Sequence, residues 1–178
     1  MDGSTLRVAD SPENRAHFGG TSGDRGDSGY PLLRIASLMA LRSHILAAAE
    51  FGPYSDSEIA LSAGLWGSVP NNSLTVVDRG FLAGGILIPL ARDGQNRHWL
   101  TRAKSTTRWK VIKSLGKTED LVELTVSPQA RGYDPSLPKM YQARAIKYQI
   151  KGFQPQTLLN VDARQRAIPG QGDRRPIS

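Results

Sequence analysis

Two aspartates occupy positions where a carboxylate could do chemistry. Asp2 lies in the opening stretch MDGSTLRVAD and Asp78 ends the apolar run 74–77, and a glycine follows each of them within two residues. Hard cations such as Mg²⁺ bind carboxylate oxygens, and phosphoryl transfer can use two such ions. If the two strands are neighbours in a sheet, both carboxylates could share a metal. A turn cap, or for Asp78 a salt bridge to Arg79, explains the same residues equally well.

The composition favours a globular protein with an anionic partner. The chain has 178 residues, a net charge of +7 and no cysteine, and its pI is about 10.0. A basic protein gains affinity for nucleic acid by displacing phosphate counterions, although a solvated basic surface without a partner has the same composition. The lack of cysteine excludes disulfides and thiolate metal sites. No segment resembles a signal peptide or approaches the roughly 20 apolar residues of a membrane helix, so we expect a cytoplasmic protein without a membrane partner.

One helix carries a clear start signal. Residues 55–58 read Ser-Asp-Ser-Glu, a capping box in which Ser55 and Glu58 exchange hydrogen bonds with each other's amides. Ile59, Ala63 and Trp66 follow at helical spacing. The pattern predicts a short helix over about 56–66.

The remaining elements divide the chain into an α/β half and a β-rich half. Apolar residues near 33–40 and 43–50 predict two strands, with one helix as the alternative. A buried strand is predicted at 74–77, and a helix ends at residues 93–94 despite two glycines and a proline. Further strands are predicted at 97–104, 108–116, 119–127 and 143–150, and the composition from residue 154 onward predicts a loose tail.

Several segments together resemble the bacterial insertion-sequence transposases of the DDE type. They are DGSTLRVADSPENRAHFG, SLTVVDRGF, HWLTRAK and LVELTVSPQARGYDPSLPKMYQARAIKYQIKGFQPQTLL. The resemblance extends over about residues 1–159 and is strongest to the branch whose third acid lies in a Y-x-x-R-x-x-x-E-x-x-x-x-x-x-K signature. It implies an α/β fold with part of a ribonuclease-H-like, retroviral-integrase-like core at 1–104. A portion of a β-rich insertion follows at 105–153, and 154–178 is expected to be a disordered tail with the character of a shifted reading frame.

The resemblance also implies a chemistry. Asp2 and Asp78 become the first and second metal-binding acids of a site for two Mg²⁺ or Mn²⁺ ions, which nicks DNA and joins the freed 3′-hydroxyl to target DNA. The implied partners are double-stranded DNA, both transposon ends and target, and a full-length transposase. The implied location is the nucleoid. Arg79, Arg102 and Lys104 are the candidate phosphate contacts, with a solvated strand end as the alternative for each.

Three departures from the family pattern predict an incomplete enzyme. No glutamate lies beyond Glu123, so the third acid and its signature are absent; Asp162 and Asp173 would be poor substitutes. Met1 directly precedes Asp2, where the family has apolar strand residues, and the family's upstream DNA-end-binding domain is absent. We therefore expect a truncated copy that lacks the C-terminal part and is catalytically inactive. The alternatives are a non-catalytic DNA-binding or inhibitory module and a chain that does not fold.

Overall fold

A computed structural model describes residues 1–23, 26–27 and 29–161 of the chain as a mixed α/β structure. The strands are β1 (Asp2–Arg7), β2 (Ser22–Gly23), β3 (Gly26–Asp27), β4 (Leu32–Met39), β5 (Leu46–Pro53), β6 (Ser73–Val77), β7 (Arg97–Arg102), β8 (Lys110–Gly116), β9 (Glu119–Thr125), β10 (Met140–Tyr148) and β11 (Gln156–Val161). The helices are α1 (Pro12–Phe18), α2 (Glu58–Ser62), α3 (Gly84–Arg92) and α4 (Pro128–Tyr133), with 3-10 turns at Ala63–Ser68 and Arg79–Phe81. None of the helices in the described ranges is long and apolar enough to cross a membrane.

The first sheet has three antiparallel strands in the order β1-β4-β5. Its register pairs Asp2 with Ser37 and Ser37 with Ala49. The two strands predicted between residues 33 and 50 are therefore confirmed, and the single-helix alternative is wrong. Helix α2 contacts β4, and the 3-10 turn after it contacts β5. Ala36 of β4 is fully buried.

The second sheet has six strands in the order β6-β7-β11-β10-β9-β8, and only β6 and β7 run parallel. Strand β11 pairs with both β7 and β10, so it lies inside the sheet. Its residues fall within the segment predicted to be a loose tail, so that prediction is wrong for 156–161. Two ladders satisfy the backbone groups of this strand and Leu159 is fully buried, which outweighs its weak local signal. The rest of the predicted tail, 162–178, lies outside the described residues.

Helix α2 begins at a different cap from the predicted one. Ser57, rather than Ser55, is the N-cap, and its hydroxyl accepts from the Ala60 amide at 3.0 Å. Glu58 is then the first helical residue, and its side chain lies against Gly3 of β1. The predicted capping box is therefore wrong, because Glu58 stands too early in the helix to reach back to the cap. The predicted helix over 56–66 is observed as α2 and the following 3-10 turn.

The hydrophobic core lies between the six-stranded sheet and helix α3. Trp99 of β7 is 2% exposed, and Leu87 and Leu90 of α3 are fully buried. The glycines that weakened the helix prediction permit close packing: a Cβ on Gly84 would come within 2.8 Å of Val126 Cγ2, and one on Gly85 within 3.0 Å of the Cβ of Ala130. Burial of a large apolar surface thus stabilises a helix whose local propensity is poor.

Candidate functional site

One hydrogen bond joins the two sheets where both candidate carboxylates lie. The amino group of Met1 donates to the Val76 carbonyl at 2.6 Å. Asp2 is the next residue after Met1, and Asp78 lies two residues after Val76. Strands β1 and β6 belong to different sheets, so the condition that the two strands be neighbours in one sheet is not met, and the link between them is this hydrogen bond.

Asp78 caps the turn that follows β6. Its Oδ2 atom accepts from the Gly80 amide at 2.7 Å, and its backbone is extended. A Cβ at position 80 would lie 3.1 Å from that oxygen, so glycine leaves room for the carboxylate. Of the alternatives for Asp78, the turn cap is observed and an ion pair with Arg79 is not found among the described residues. Oδ1 carries no hydrogen bond from the described part of the chain, so this exposed carboxylate keeps an oxygen available.

Asp2 is also exposed and also keeps one carboxylate oxygen free of described partners. Its Oδ1 accepts from the neighbouring Gly3 amide at 2.9 Å. Successive side chains of a strand point to opposite faces. Position 3 faces Glu58 of helix α2, so Asp2 lies on the opposite face, away from this helix and open to a ligand.

The charges around the junction are of both signs. Burial lowers the pKa of the Met1 amino group below its ordinary value of 8.0, and the Asp2 carboxylate acts in the opposite direction. Arg79 is exposed in the turn that Asp78 caps. Val77 and Thr101 are register partners. Arg102 follows Thr101 as Asp78 follows Val77, so this exposed cation lies beside the junction.

Lys104 lies in the loop that follows β7. Its side chain is exposed, and its backbone amide donates to the Thr107 hydroxyl at 3.0 Å. It follows Ala103, whose amide donates to the Thr157 carbonyl at 2.8 Å. Lys104 therefore lies two residues after Arg102, just beyond the end of β7.

The donor set fits a hard cation that keeps several of its waters. Two carboxylates with free oxygens are the kind of ligand that Mg²⁺ takes, since it dehydrates reluctantly. Across the described ranges, no cluster of three or more histidine, aspartate or glutamate side chains could hold a metal. Asp162 and Asp173 lie outside those ranges. Asp2 and Asp78 each keep one carboxylate oxygen that could serve as a ligand.

The group that links β1 to β6 has no counterpart in a sequence pattern. It is the backbone amino group of Met1, and an amino group carries no residue-type signal. Nearby in the sequence, Trp99 is buried and Trp109 is half-buried against the same core.

Comparison with known proteins finds transposases. The chain is 35% identical over 152 residues to transposase InsG of insertion sequence element IS4 from Escherichia coli, which is 85% of this chain and 34% of InsG. It is 37% identical over 131 residues to a second Escherichia coli protein, InsZ, also named for a transposase, covering 72% of this chain and 40% of InsZ. No family model matches the chain. The chain spans between a third and two fifths of the length of these relatives. By sequence, it belongs to the bacterial insertion-sequence transposases.

Proposed function

We propose that the chain carries the first two metal-binding acids of a DDE transposase and binds double-stranded DNA without completing the reaction. The observation that carries this proposal is the hydrogen bond from Met1 to Val76. Its donor residue directly precedes Asp2, and its acceptor residue lies two positions before Asp78. The relatives are named as transposases, and the mixed α/β architecture fits a ribonuclease-H-like core.

Asp2 and Asp78 would hold a Mg²⁺ or Mn²⁺ ion through their free oxygens. When bound, such an ion supplies charge stabilisation to a phosphoryl oxygen and lowers the pKa of a bound water. The residues of this chain bind and orient the ion. Two carboxylates hold the position of a metal ion less precisely than three. Misplacement of a reacting group by about 1 Å costs about 100-fold in rate. DNA nicking and strand transfer by the chain alone should therefore be very weak.

The same assignment to a transposase divides the chain into a catalytic-core portion and an insertion portion. Residues 1–104 would form part of the catalytic core, and residues 105–153 part of the β-rich insertion. The six-stranded sheet runs through both portions, since β6 and β7 belong to the first and β8, β9 and β10 to the second. The insertion would then extend the core sheet.

DNA binding is supported by charge and by position. The net charge is +7, and the three candidate phosphate contacts, Arg79, Arg102 and Lys104, lie at or beside the junction. Cations beside a metal site would hold the DNA backbone against the carboxylates. A protein of this kind would be found with the nucleoid in the bacterial cytoplasm.

Metal titration tests the role of the two acids. We expect Asp78→Asn to weaken Mn²⁺ binding at least tenfold, measured by electron paramagnetic resonance of free Mn²⁺, because it removes one of two charged ligands. Asp93→Asn is the matched control, since Asp93 is an exposed aspartate that pairs with Arg92 and lies after α3. Equal Mn²⁺ affinity in wild type and Asp78→Asn, with both folded, would show that Asp78 only caps its turn.

A second function, inhibition of a full-length transposase, is favoured by the exposed apolar face of the first sheet. Leu6 is 49% exposed and Phe51 is 63% exposed, and such side chains are typical of contact surfaces. A non-catalytic module of this kind would occupy DNA or the intact enzyme. Co-expression in a transposition assay tests this alternative: transposition should fall in proportion to the amount of the chain, and an unchanged frequency would exclude it.

A further inference from the structure

The C-terminal part of one basic segment has no role in the function proposed above. Residues 94–118 contain seven lysines and arginines and no aspartate or glutamate. The last four of these cations lie in or beside β8, which ends the six-stranded sheet. We name them the basic edge strip; they are Arg108, Lys110, Lys113 and Lys117, and all are exposed.

A β-bulge places two cations of the strip, Lys110 and Lys113, on one face. Lys110 pairs with Glu123 and Lys113 with Leu121, and the register shifts between residues 111 and 113. Ile112 is therefore an extra residue on β8. In a regular strand, residues three apart point to opposite faces. Because of the bulge, Lys110 and Lys113 oppose residues two apart on β9 and share a face.

The bulges also set the spacing of the cations. A second shift between residues 114 and 116 places Gly116 opposite Glu119, with Lys117 next. Gly116, not Lys117, therefore occupies the third position on this face. Lys110 and Lys113 oppose residues two apart on β9, so at about 3.3 Å per residue they lie about 7 Å apart. Each strand of a DNA duplex carries one phosphate charge per about 3.4 Å of helix axis, so two cations on one face can contact phosphates of one strand.

The charges of the strip are largely uncompensated. None of its four cations forms an ion pair within the described part of the chain. Two acids of β9 are already paired, Glu119 with Arg144 and Asp120 with Lys147. Glu123 remains as the acid that faces Lys110 across the ladder. The edge therefore presents a net positive line to solvent.

We infer that the basic edge strip binds the phosphate backbone of double-stranded DNA, at a surface separate from the two carboxylates. This inference rests on the proposed DNA-binding function and adds a second contact region to it. The competing explanation is that lysines on an edge strand only prevent pairing with another sheet. That role needs charge at the edge but does not require two lysines on one face.

The test is a salt titration of binding to a 20-base-pair duplex by fluorescence anisotropy, with the full chain. In Lys110→Gln/Lys113→Gln, affinity at low salt should fall at least tenfold, and the slope of log affinity against log salt should decrease by about two. Arg7→Gln/Arg42→Gln removes the same charge from two exposed cations, one at the end of β1 and one in the turn between β4 and β5, and should change affinity by less than about twofold. Equal losses of DNA affinity in both variants would mean that net charge alone explains the effect. That result would contradict the proposed role of the basic edge strip.

A swap variant tests the spacing at constant composition. Ile112→Lys/Lys113→Ile moves one charge onto the extra residue of the bulge and leaves the net charge at its original value. We expect the salt slope to decrease by about one. An unchanged slope, or aggregation of the variants without any loss of DNA affinity, would leave the lysines with only the edge-protecting role.

Two further outcomes separate this inference from the proposed function. If the wild type binds the duplex and the strip variants bind it equally well, the inference about the basic edge strip is wrong and the proposed DNA binding is unaffected. If the wild type does not bind the duplex, both the inference and the proposed DNA binding are wrong. Competition by polyglutamate at equal charge should be weak, because the charge density of the duplex is higher; competition equal to that of DNA would overturn the assignment to nucleic acid.

Discussion

The two sheets of the molecule differ in how much apolar surface they bury. The main core cluster draws most of its members from the six-stranded sheet and α3, and Leu38 is its sole member from the three-stranded sheet within the described ranges. The three-stranded sheet instead leaves Leu6, Leu46 and Phe51 about half or more exposed. Hydrophobic burial is the dominant stabilising term in folding. The six-stranded sheet should therefore be the stable part of the molecule.

This difference matters because the candidate site lies between the two parts. Asp78 follows a strand of the well-packed sheet, whereas Asp2 belongs to the weakly packed one. An ion held by both carboxylates would favour the state in which the sheets are joined, since a ligand stabilises the conformation that binds it. The loosely packed sheet is thus the part that a metal would most affect.

The largest expected effect contrasts one aromatic residue from each sheet. Trp99→Ala should cost about 3–5 kcal/mol of unfolding free energy, because it empties a buried site in the core. Phe51→Ala should change it by less than about 0.5 kcal/mol, because Phe51 is exposed. Urea denaturation followed by circular dichroism measures both. Similar costs for the two variants would contradict the comparison.

Hydrogen exchange should resolve the two sheets directly. We expect amides of β1 and β5 to exchange at least tenfold faster than those of β10 and β11, a difference of about 1.4 kcal/mol in opening free energy. Mn²⁺ should slow exchange in β1 and leave β10 unchanged. Mass spectrometry of peptic fragments, with Asp78→Asn as the metal-insensitive control, measures this. Uniform protection across both sheets would mean that they open as one unit.

A smaller effect is expected at the start of α2, which covers the three-stranded sheet. Ser57→Ala should cost about 1 kcal/mol, because the Ser57 hydroxyl accepts from the Ala60 amide. Ser55→Ala should cost much less, since Ser55 is not the cap. Thermal or urea denaturation of the matched pair measures the difference. A larger loss of unfolding free energy in Ser55→Ala than in Ser57→Ala would support the capping box predicted from the sequence.

The smallest effect concerns a tyrosine of the six-stranded sheet. Burial raises the pKa of Tyr141 to about 12 from its ordinary value of 10.0. The unfolded chain loses this proton first, so folding stability should fall as the pH rises through 10 towards 12, by about 0.8 kcal/mol at pH 10.5. Tyr141→Phe should remove that part of the pH dependence. If the folding stability of both proteins depended equally on pH, another group would be the one that titrates in this range.

The sequence predicted elements wherever a local pattern was strong. The apolar run before Asp78 predicted β6 correctly, and the strand predicted at 97–104 is observed as β7. Helices α1 and α4 were missed, although each begins with a serine cap followed by proline, at Ser11 and Ser127. That pair is a recognised start signal. Both helices could therefore have been predicted from the sequence.

Other features depend on contacts that no local pattern encodes. Strand β11 forms because β7 and β10 satisfy its backbone on both sides. The bulge at Ile112 appears only in the pairing of β8 with β9. The sequence named Asp2 and Asp78 as a pair through residue type and resemblance, but their shared junction depends on a backbone amino group.

The central place of β11 has a consequence for the order of events during synthesis. It is the last described strand to leave the ribosome, yet it lies between β7 and β10. Fifty-four positions separate Arg102, the end of β7, from Gln156, the start of β11. At about 5–20 residues per second, β7 waits roughly 3–11 s for its partner. During that interval the nascent chain exposes unpaired strand edges to the cell, so chaperone binding to β7 and β10 should be strongest just before β11 emerges from the ribosome.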